Sequence, residues 1–280
     1  MTMPYRLITE RGPSPQTILE DTFSKVHAHL NYWNLESEIA RFNQKKSTKP
    51  FPISQTLHTF LKRINRYLPL TEGRFDPTIA PLQKTWQKAL KQAKTPSEKE
   101  IKQAKKNVGW HLLHINRTHI TKKKKGASLD LGGCAKGYTI DLIIEKLKEN
   151  GYTNALMEWG GEIRTIGKHP SGRKWRIGIA HTTHPSIKLK DAAIATSGNT
   201  YQSWNVKVDG ENKNYTHLID PKTAKPIELE TTFSVTVQAP NCLLADILAS
   251  TALVMGRDHA ENYLKRTQKA IPSIRFWLSR

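Results

Sequence analysis

The chain has 280 residues, with 44 Lys+Arg against 24 Asp+Glu and a formal net charge of +20. Hydrophobic residues make up 37%, which is enough for a sizeable core and excludes a wholly disordered chain or a low-complexity fibre. No apolar run reaches the ~18–20 residues of a membrane-spanning helix, and two cysteines, Cys134 and Cys242, are too few for a disulfide framework or a cysteine zinc site.

Met1 to Gly12 lack the basic-then-apolar pattern of an export signal. The expectation for the chain as it stands is a cytoplasmic protein, with a periplasmic or membrane-anchored place only if a leader has been trimmed. A short strand is expected over Pro4–Thr9. Helical spacing of Ile18, Leu19, Phe23, Val26 and Leu30 predicts a helix over Gln16–Trp33, and Ser37 opens "SEIARFN". Leu57, Phe60, Leu61, Ile64 and Leu68 predict a second amphipathic helix over Ile53–Leu68. Pro77 and Pro81 then read as breakers, followed by polar, Lys-rich helices over Lys84–Ala93 and Ser97–Asn107.

Strands dominate afterwards: His111–Ile115, His119–Thr121, Ala155–Trp159, Glu162–Ile166, Trp175–Ala180, Ile187–Leu189, Asn205–Val208, Thr232–Gln238 and Ile274–Leu278. Helices are expected over Ala135–Glu149, Asn241–Met255 and Arg257–Thr267. Strands outside βαβ alternation imply an α+β fold in two lobes. A helical N-terminal part and mixed or antiparallel sheets would share one core, in one domain over residues 1–280.

The basic excess concentrates in Lys88–Lys106 and in Lys122–Lys125, the latter reading as a hairpin tip. Both read as solvated surface. A nucleic-acid face would interleave aromatic residues with the lysines, and these runs hold none, so no nucleic-acid partner is expected.

Several segments could carry chemistry. In "DLGGCAKGY" (Asp130–Tyr138), Gly132 and Gly133 allow close backbone approach to a ligand, and the helix start offers N–H groups to an anion. Lys136 in the first turn opposes the helix dipole, a penalty that a phosphate in front of it would remove. A tight turn with a solvated lysine is the alternative. In "ADILASTALVMG" (Ala245–Gly256), Asp246 lies five residues past the cap candidate Asn241, among Leu243, Leu244, Ile247 and Leu248. A carboxylate there needs a cation, a hydrogen-bond cluster or a raised pKa. Ser250, one turn on, shares its face, and Asp plus hydroxyl is a donor pair used for Mg²⁺. A plain Asp246–Ser250 hydrogen bond is the alternative. Asp76 in "GRFDPT" reads as a helix cap. His217 and Asp220 in "YTHLIDP" could do acid–base work or be structural. "WGGEIR" and "ATSGNTY" read as glycine-bearing turns between strands.

Taken in order, "MTMPYRL", "SEIARFN", "GRFDPTIAPL", "VGW", "DLGGCAKGYTID", "GGEIR", "WRIGI", "ATSG", "HLIDP" and "SVTV" with the Asp-bearing helix resemble the ApbE family of FAD:protein FMN transferases almost end to end. The resemblance implies an enzyme that uses FAD with Mg²⁺, transfers FMN to a Thr or Ser hydroxyl of an acceptor flavoprotein and releases AMP. It implies FAD contacts at Met1, Trp33, Arg74, Phe75, Asp76, Asp130, Lys136 and Ile219. The metal would take the Gly133 carbonyl, Asp246 and Ser250, with Asp246 counted in the catalytic apparatus. His217 would assist deprotonation of the acceptor hydroxyl or orient it. Trp33 stands where relatives often have Tyr. Ser250 replaces their usual Thr, and Ala249 stands near a second Asp found in some of them, so Mg²⁺ should bind more weakly without FAD. "ATSGNTYQSW" is slightly longer than the usual form. A Mg²⁺-dependent FAD pyrophosphatase, a non-catalytic flavin-binding protein and a basic nucleic-acid-binding protein are the alternative functions, and membrane association would need a removed leader.

Overall fold

A computed structural model of the chain describes residues 3–10, 14–179, 186–198, 203–208, 210–228 and 233–279. After β1 (Tyr5–Thr9) come α1 (Gln16–His29), α2 (Glu38–Gln44), β2 (Phe51–Pro52), α3 (Gln55–Tyr67), α4 (Ala80–Leu90) and α5 (Glu98–Lys105). Ser37, Ser54 and Ser97 start α2, α3 and α5 by accepting the backbone N–H three residues on. Pro81 does not break the chain as expected. It sits in the first turn of α4, where a missing N–H costs nothing.

The rest runs β3 (Leu113–Ile115), β4 (His119–Lys122), α6 (Ala135–Glu149), β5 (Ala155–Trp159), β6 (Glu162–Ile166), β7 (Trp175–Gly178), β8 (Ser186–Leu189), β9 (Ala193–Gly198), β10 (Ser203–Val208), β11 (Glu211–Asp220), β12 (Lys225–Glu228), β13 (Ser234–Ala239), α7 (Cys242–Met255), α8 (Arg257–Ala270) and β14 (Arg275–Ser279). The α+β class is as expected. In "ATSGNTY", read as a turn, residues 195–198 instead lie in β9, an interior strand of a six-stranded sheet ordered β1-β5-β6-β9-β13-β14, antiparallel throughout, while residues 199–201 lie outside the described residues. Small residues made that strand look like a loop, yet Ala193, Ile194 and Ala195 are buried.

Alternation along the strands gives the sheet two covered faces. Ala155, Met157 and Trp159 pack on Ile140, Ile143, Ile144 and Leu147 of α6. Leu156, Ile163 and Ile194 face Trp175, Ile177 and Leu189 of the β7–β8 hairpin. On a separate sheet, β10-β11-β12, α4 and α5 bury Leu82, Trp86, Leu90 and Ala104 against Val206, Tyr215 and Ile219.

Helix α7 joins these parts. Leu243 and Ile247 enter the core of the helical lobe, Leu244, Ala245, Leu248, Ala249 and Ala252 pack with β13 and α8, and Cys242 packs with α6. A helix apolar all round is a helix buried all round. Asn241 caps it, accepting the Leu244 N–H at 2.9 Å. The crossing with α6 is close because Gly137 has no side chain. A Cβ there would stand 2.6 Å from the Cys242 carbonyl oxygen and 3.0 Å from Asp246 Cβ. Gly137→Ala, which in an exposed helix would add stability, is therefore expected to cost ~1–3 kcal/mol by overpacking, read by urea denaturation. A gain in stability would show that the two helices part freely.

Lys122 departs from the solvated hairpin tip expected of it. It ends β4 fully buried, lies 4.5 Å from the Phe42 ring centroid and donates to the carbonyls of Asn43 and Lys45 at the end of α2. A cation there suits the helix dipole. Burial and the nearby Lys45 and Lys46 pull its pKa down to about 8. Among the described residues, no helix is long and apolar enough to cross a membrane.

Candidate active site

A cleft of about 1410 Å³ opens between the start of α6, α7, β9, β11 and the α4–α5 pair. Trp33, Asp130, Gly133, Lys136, His217, Asp246 and Ser250 all line it, though they span more than two hundred residues of sequence.

The floor is built from two helices that cap each other. Asp246, on α7, accepts the Gly137 N–H in the first turn of α6 at 3.2 Å. Asp141, on α6, accepts the first N–H groups of α7, from Cys242 at 2.8 Å and Leu243 at 2.9 Å. Each buried carboxylate thus sits in the positive end of the other helix. Arg164 of β6 pairs with Asp141 at 2.8 Å and with Glu145 at 3.6 Å, and Arg63 of α3 holds Glu145 through both oxygens.

Lys136 answers its unfavourable place in the helix dipole by pairing with Glu162 at 2.6 Å, and it also donates to the Gly160 carbonyl. Glu162 is 2% exposed, and its second oxygen, Oε2, is buried without a hydrogen-bond partner. Burial and the charge of Asp246 push the Glu162 carboxyl up, against the pull of Lys136. Burial also pushes Asp246 up, against Lys136 and the Gly137 N–H.

Ser250 does not bond Asp246, the alternative the sequence left open. Its hydroxyl lies 3.2 Å from Ser197 Oγ on β9. A Cβ at Gly133 would stand 3.1 Å from Ser250 Oγ and 3.1 Å from the Phe75 ring, so a side chain there would crowd that hydroxyl. Carboxylate, hydroxyl and backbone carbonyl form an all-oxygen donor set that suits a hard divalent cation. Among the described residues no three His, Cys, Asp or Glu side chains gather as a metal cluster. A cation here would need further oxygens from water or a bound phosphate. Ala249, one turn past Asp246, is wholly buried and packs in the core with residues of β13 and α8.

His217 lies where β11 loses register with β12. Tyr215 pairs with Glu228 and Ile219 with Pro226, leaving more residues on β11 than on its partner. Such a bulge re-aims side chains, and here His217 lines the cleft while Tyr215 and Ile219 are buried beneath α4. Asp130 closes the opposite side. Burial raises its pKa, countered by the Gly132 N–H, the Gln83 side chain and the nearby His217. Tyr32, whose phenol is pushed up by burial and by Asp130, stacks 4.7 Å from Trp33. Trp33 itself is 79% exposed at the rim.

The remaining expected contacts stand behind this lining. Asp76 caps a short turn: Oδ1 accepts from Thr78 N and Oγ1, and Oδ2 from Trp110 N. Arg74 forms an ion pair with Asp220. Phe75 packs against the helical-lobe core and Ile219 turns its side chain into another. Met1 lies outside the described residues.

Sequence reading missed Glu162 and Asp141. Glu162 sat in a segment read as a turn. Asp141 could have been found, since it interrupts the apolar face formed by Ile140, Ile143 and Ile144. It also missed the wall of the cleft formed by Lys84, Lys88, Lys91 and Lys99.

Comparison with known proteins bears on the same site. The model of the ApbE family matches residues 1–274. A protein of Chlamydia muridarum (strain MoPn / Nigg) named FAD:protein FMN transferase is 38% identical over 264 residues, covering 89% of this chain and 80% of that protein. One of the same name from Vibrio cholerae serotype O1 (strain ATCC 39541 / Classical Ogawa 395 / O395) is 32% identical over 251 residues, covering 87% and 74%. The solved structure of the flavin transferase ApbE from Vibrio cholerae superposes with a TM-score of 0.80 at 29% identity, covering 100% of this chain and 94% of that one.

Proposed function

This chain belongs to the ApbE family, and from that premise we propose that the cleft binds FAD and passes its FMN half to a hydroxyl of an acceptor flavoprotein, releasing AMP. The enzyme is a transferase that uses FAD and modifies a protein, as the names of its relatives support. One observation carries the finer reading: an acid, a base, a lysine and an all-oxygen donor set converge from α6, α7 and β11 on one cleft.

Asp246, Ser250 and the Gly133 carbonyl would hold Mg²⁺, for which their donor chemistry fits. Bound there, Mg²⁺ would neutralise charge on the diphosphate. Lys136 leaves Glu162 far enough to donate to a diphosphate oxygen, and the Gly132–Gly133 backbone lets that group approach the start of α6. Trp33 and Asp130 would bound the ring and sugar portions, with Phe75 behind them backing the Gly133 turn. Arg74, Asp76 and Ile219 would support the loops around them. Residues 1–280 act together as one unit in this reading.

The acceptor Thr or Ser oxygen attacks the phosphorus on the FMN side. A phosphoester bond forms, the bridging P–O bond breaks, and AMP leaves with the electron pair. His217 takes the hydroxyl proton on a ring nitrogen. His217→Ala is expected to lower the transfer rate ~10²–10⁴-fold while FAD affinity stays within about twofold, read by flavin fluorescence on the acceptor after denaturing electrophoresis and by AMP release. An unchanged rate would remove His217 from the chemistry. Mixing enzyme, FAD and Mg²⁺ with and without acceptor tests the whole reading: covalent flavin and AMP should appear together, and only with acceptor. Multiple-turnover release of free FMN without acceptor would make the protein a pyrophosphatase instead.

A further inference from the structure

The cleft is larger than one small ligand needs. Sites for single small molecules run to ~300–1,000 Å³, and this one holds about 1410 Å³. Besides the groups already described, it is lined by Lys46, Lys84, Lys88, Lys91 and Lys99, all of them exposed.

These lysines share a wall for a structural reason. Leu82, Trp86 and Leu90 are the inward face of α4, so Lys84, Lys88 and Lys91, spaced at four and three, line up on its outer face. Like charges at that spacing repel. Among the described residues none of the five lysines has a carboxylate within 4.0 Å. The nearest candidate acid, Glu100, is engaged by the Ser97 N–H and hydroxyl, and Glu98 pairs with Lys102. Glu100 shares the lining and its charge acts on Lys88, offsetting the row only in part, so the wall keeps an excess of positive charge that an anionic occupant would relieve. A diphosphate carries only two charges and has its own partners at Lys136 and the start of α6.

We propose that this arm of the cleft docks an acidic stretch of the acceptor polypeptide, flanking the hydroxyl that is modified. The proposal rests on the reading above that a protein is the second substrate. Charge complementarity selects an acidic peptide over nucleic acid, because Trp86, the one aromatic among the lysines of α4, is buried on the inward face and α5 carries none, leaving a single exposed ring, Trp33, at the rim. Electrostatic docking of this kind acts on encounter and on choice of partner, and it weakens with salt.

The probe is a fluorescein-labelled decaglutamate peptide, followed by anisotropy on the full chain, alongside FAD binding followed by flavin fluorescence. Two triple variants carry the same change in net charge: Lys88→Gln/Lys91→Gln/Lys99→Gln on the wall, and Lys123→Gln/Lys124→Gln/Lys125→Gln, whose side chains are exposed and outside the cleft lining. The wall variant should lose peptide affinity at least about tenfold, and the control no more than about twofold. FAD affinity should hold in both, and decaglutamate should inhibit flavin transfer competitively with acceptor. Equal loss in both variants would reduce the effect to the general field of a basic protein. Loss of FAD affinity in the wall variant would give the arm to the dinucleotide, and tighter binding of a ten-nucleotide single strand than of the peptide would give it to nucleic acid. Each of those overturns the proposal. A parent protein that binds the peptide at the wall but not FAD would leave the acidic-peptide arm standing and overturn the flavin reading.

Discussion

Asp246→Asn is expected to lower FMN transfer by ~10²–10³-fold, the usual loss when one preorganised electrostatic partner of a developing charge is removed. The same change should leave the fold as stable as the parent or more so. The amide keeps the shape of the side chain and can still accept the Gly137 N–H, but it no longer places a second negative charge beside Glu162 in a buried setting. The two effects have one cause: a carboxylate held out of water and close to another is poised to receive a cation and costs stability without one.

The pH dependence follows from the direction of the shift. Burial raises the Asp246 carboxyl above its ordinary value in the folded chain. The folded state therefore binds more protons than the unfolded state from that ordinary value up to the raised one, and stability falls as pH rises through the window. The stability gap between Asp246→Asn and the parent should be widest above the raised value and close towards pH ~4. Guanidinium titrations at pH ~5 and ~8 check this, with transfer assayed at the higher pH. Parent-like transfer by the variant would remove Asp246 from the active site. A gap that widens on acidification would show that the carboxylate is stabilised in the folded chain and not strained.

Asp141→Ala should cost about 3–5 kcal/mol of stability, because it strips a buried ion pair of one partner. Arg164 is 12% exposed and Asp141 2%. Without the carboxylate, Arg164 keeps only the residue-141 backbone carbonyl at 3.4 Å and the longer contact to Glu145, and the Cys242 and Leu243 N–H groups lose their acceptors. Asp141→Asn should cost less, since an amide oxygen can still accept an N–H from the start of α7. Breaking the exposed pair of Arg266 and Glu72, 2.9 Å apart at the surface, should cost under ~1 kcal/mol. Urea midpoints of the three variants at one pH provide the comparison. Asp141→Ala should also weaken FAD binding, as α7 carries Asp246 and Ser250 into the cleft. A loss below ~1 kcal/mol would mean that the mutual capping of α6 and α7 is dispensable.

Much of the framework was legible in the chain itself. Periodic apolar residues marked α1, α3, α6 and α7, Asn241 marked the start of α7, and the four-residue spacing of Asp246 and Ser250 put both on one helix edge. These are local properties, set within one or two turns by backbone hydrogen bonding and side-chain direction. The resemblance to the ApbE family went further and suggested Lys136, Asp130 and His217 as members of one site, and all three line the cleft.

Tertiary structure alone decided the rest. That Lys136 meets Glu162 depends on the β5–β6 hairpin lying beside α6. That His217 faces the cleft depends on a bulge, which exists only as a mismatch between two paired strands. That "ATSG" is an interior strand depends on β6 and β13 closing over it from either side. The lysines of α4 and α5 look in sequence like any solvated helix face, because one-dimensional periodicity records which side is polar and not what that side looks upon. Their role was set by where β10, β11 and β12 hold the two helices, across the cleft from α7.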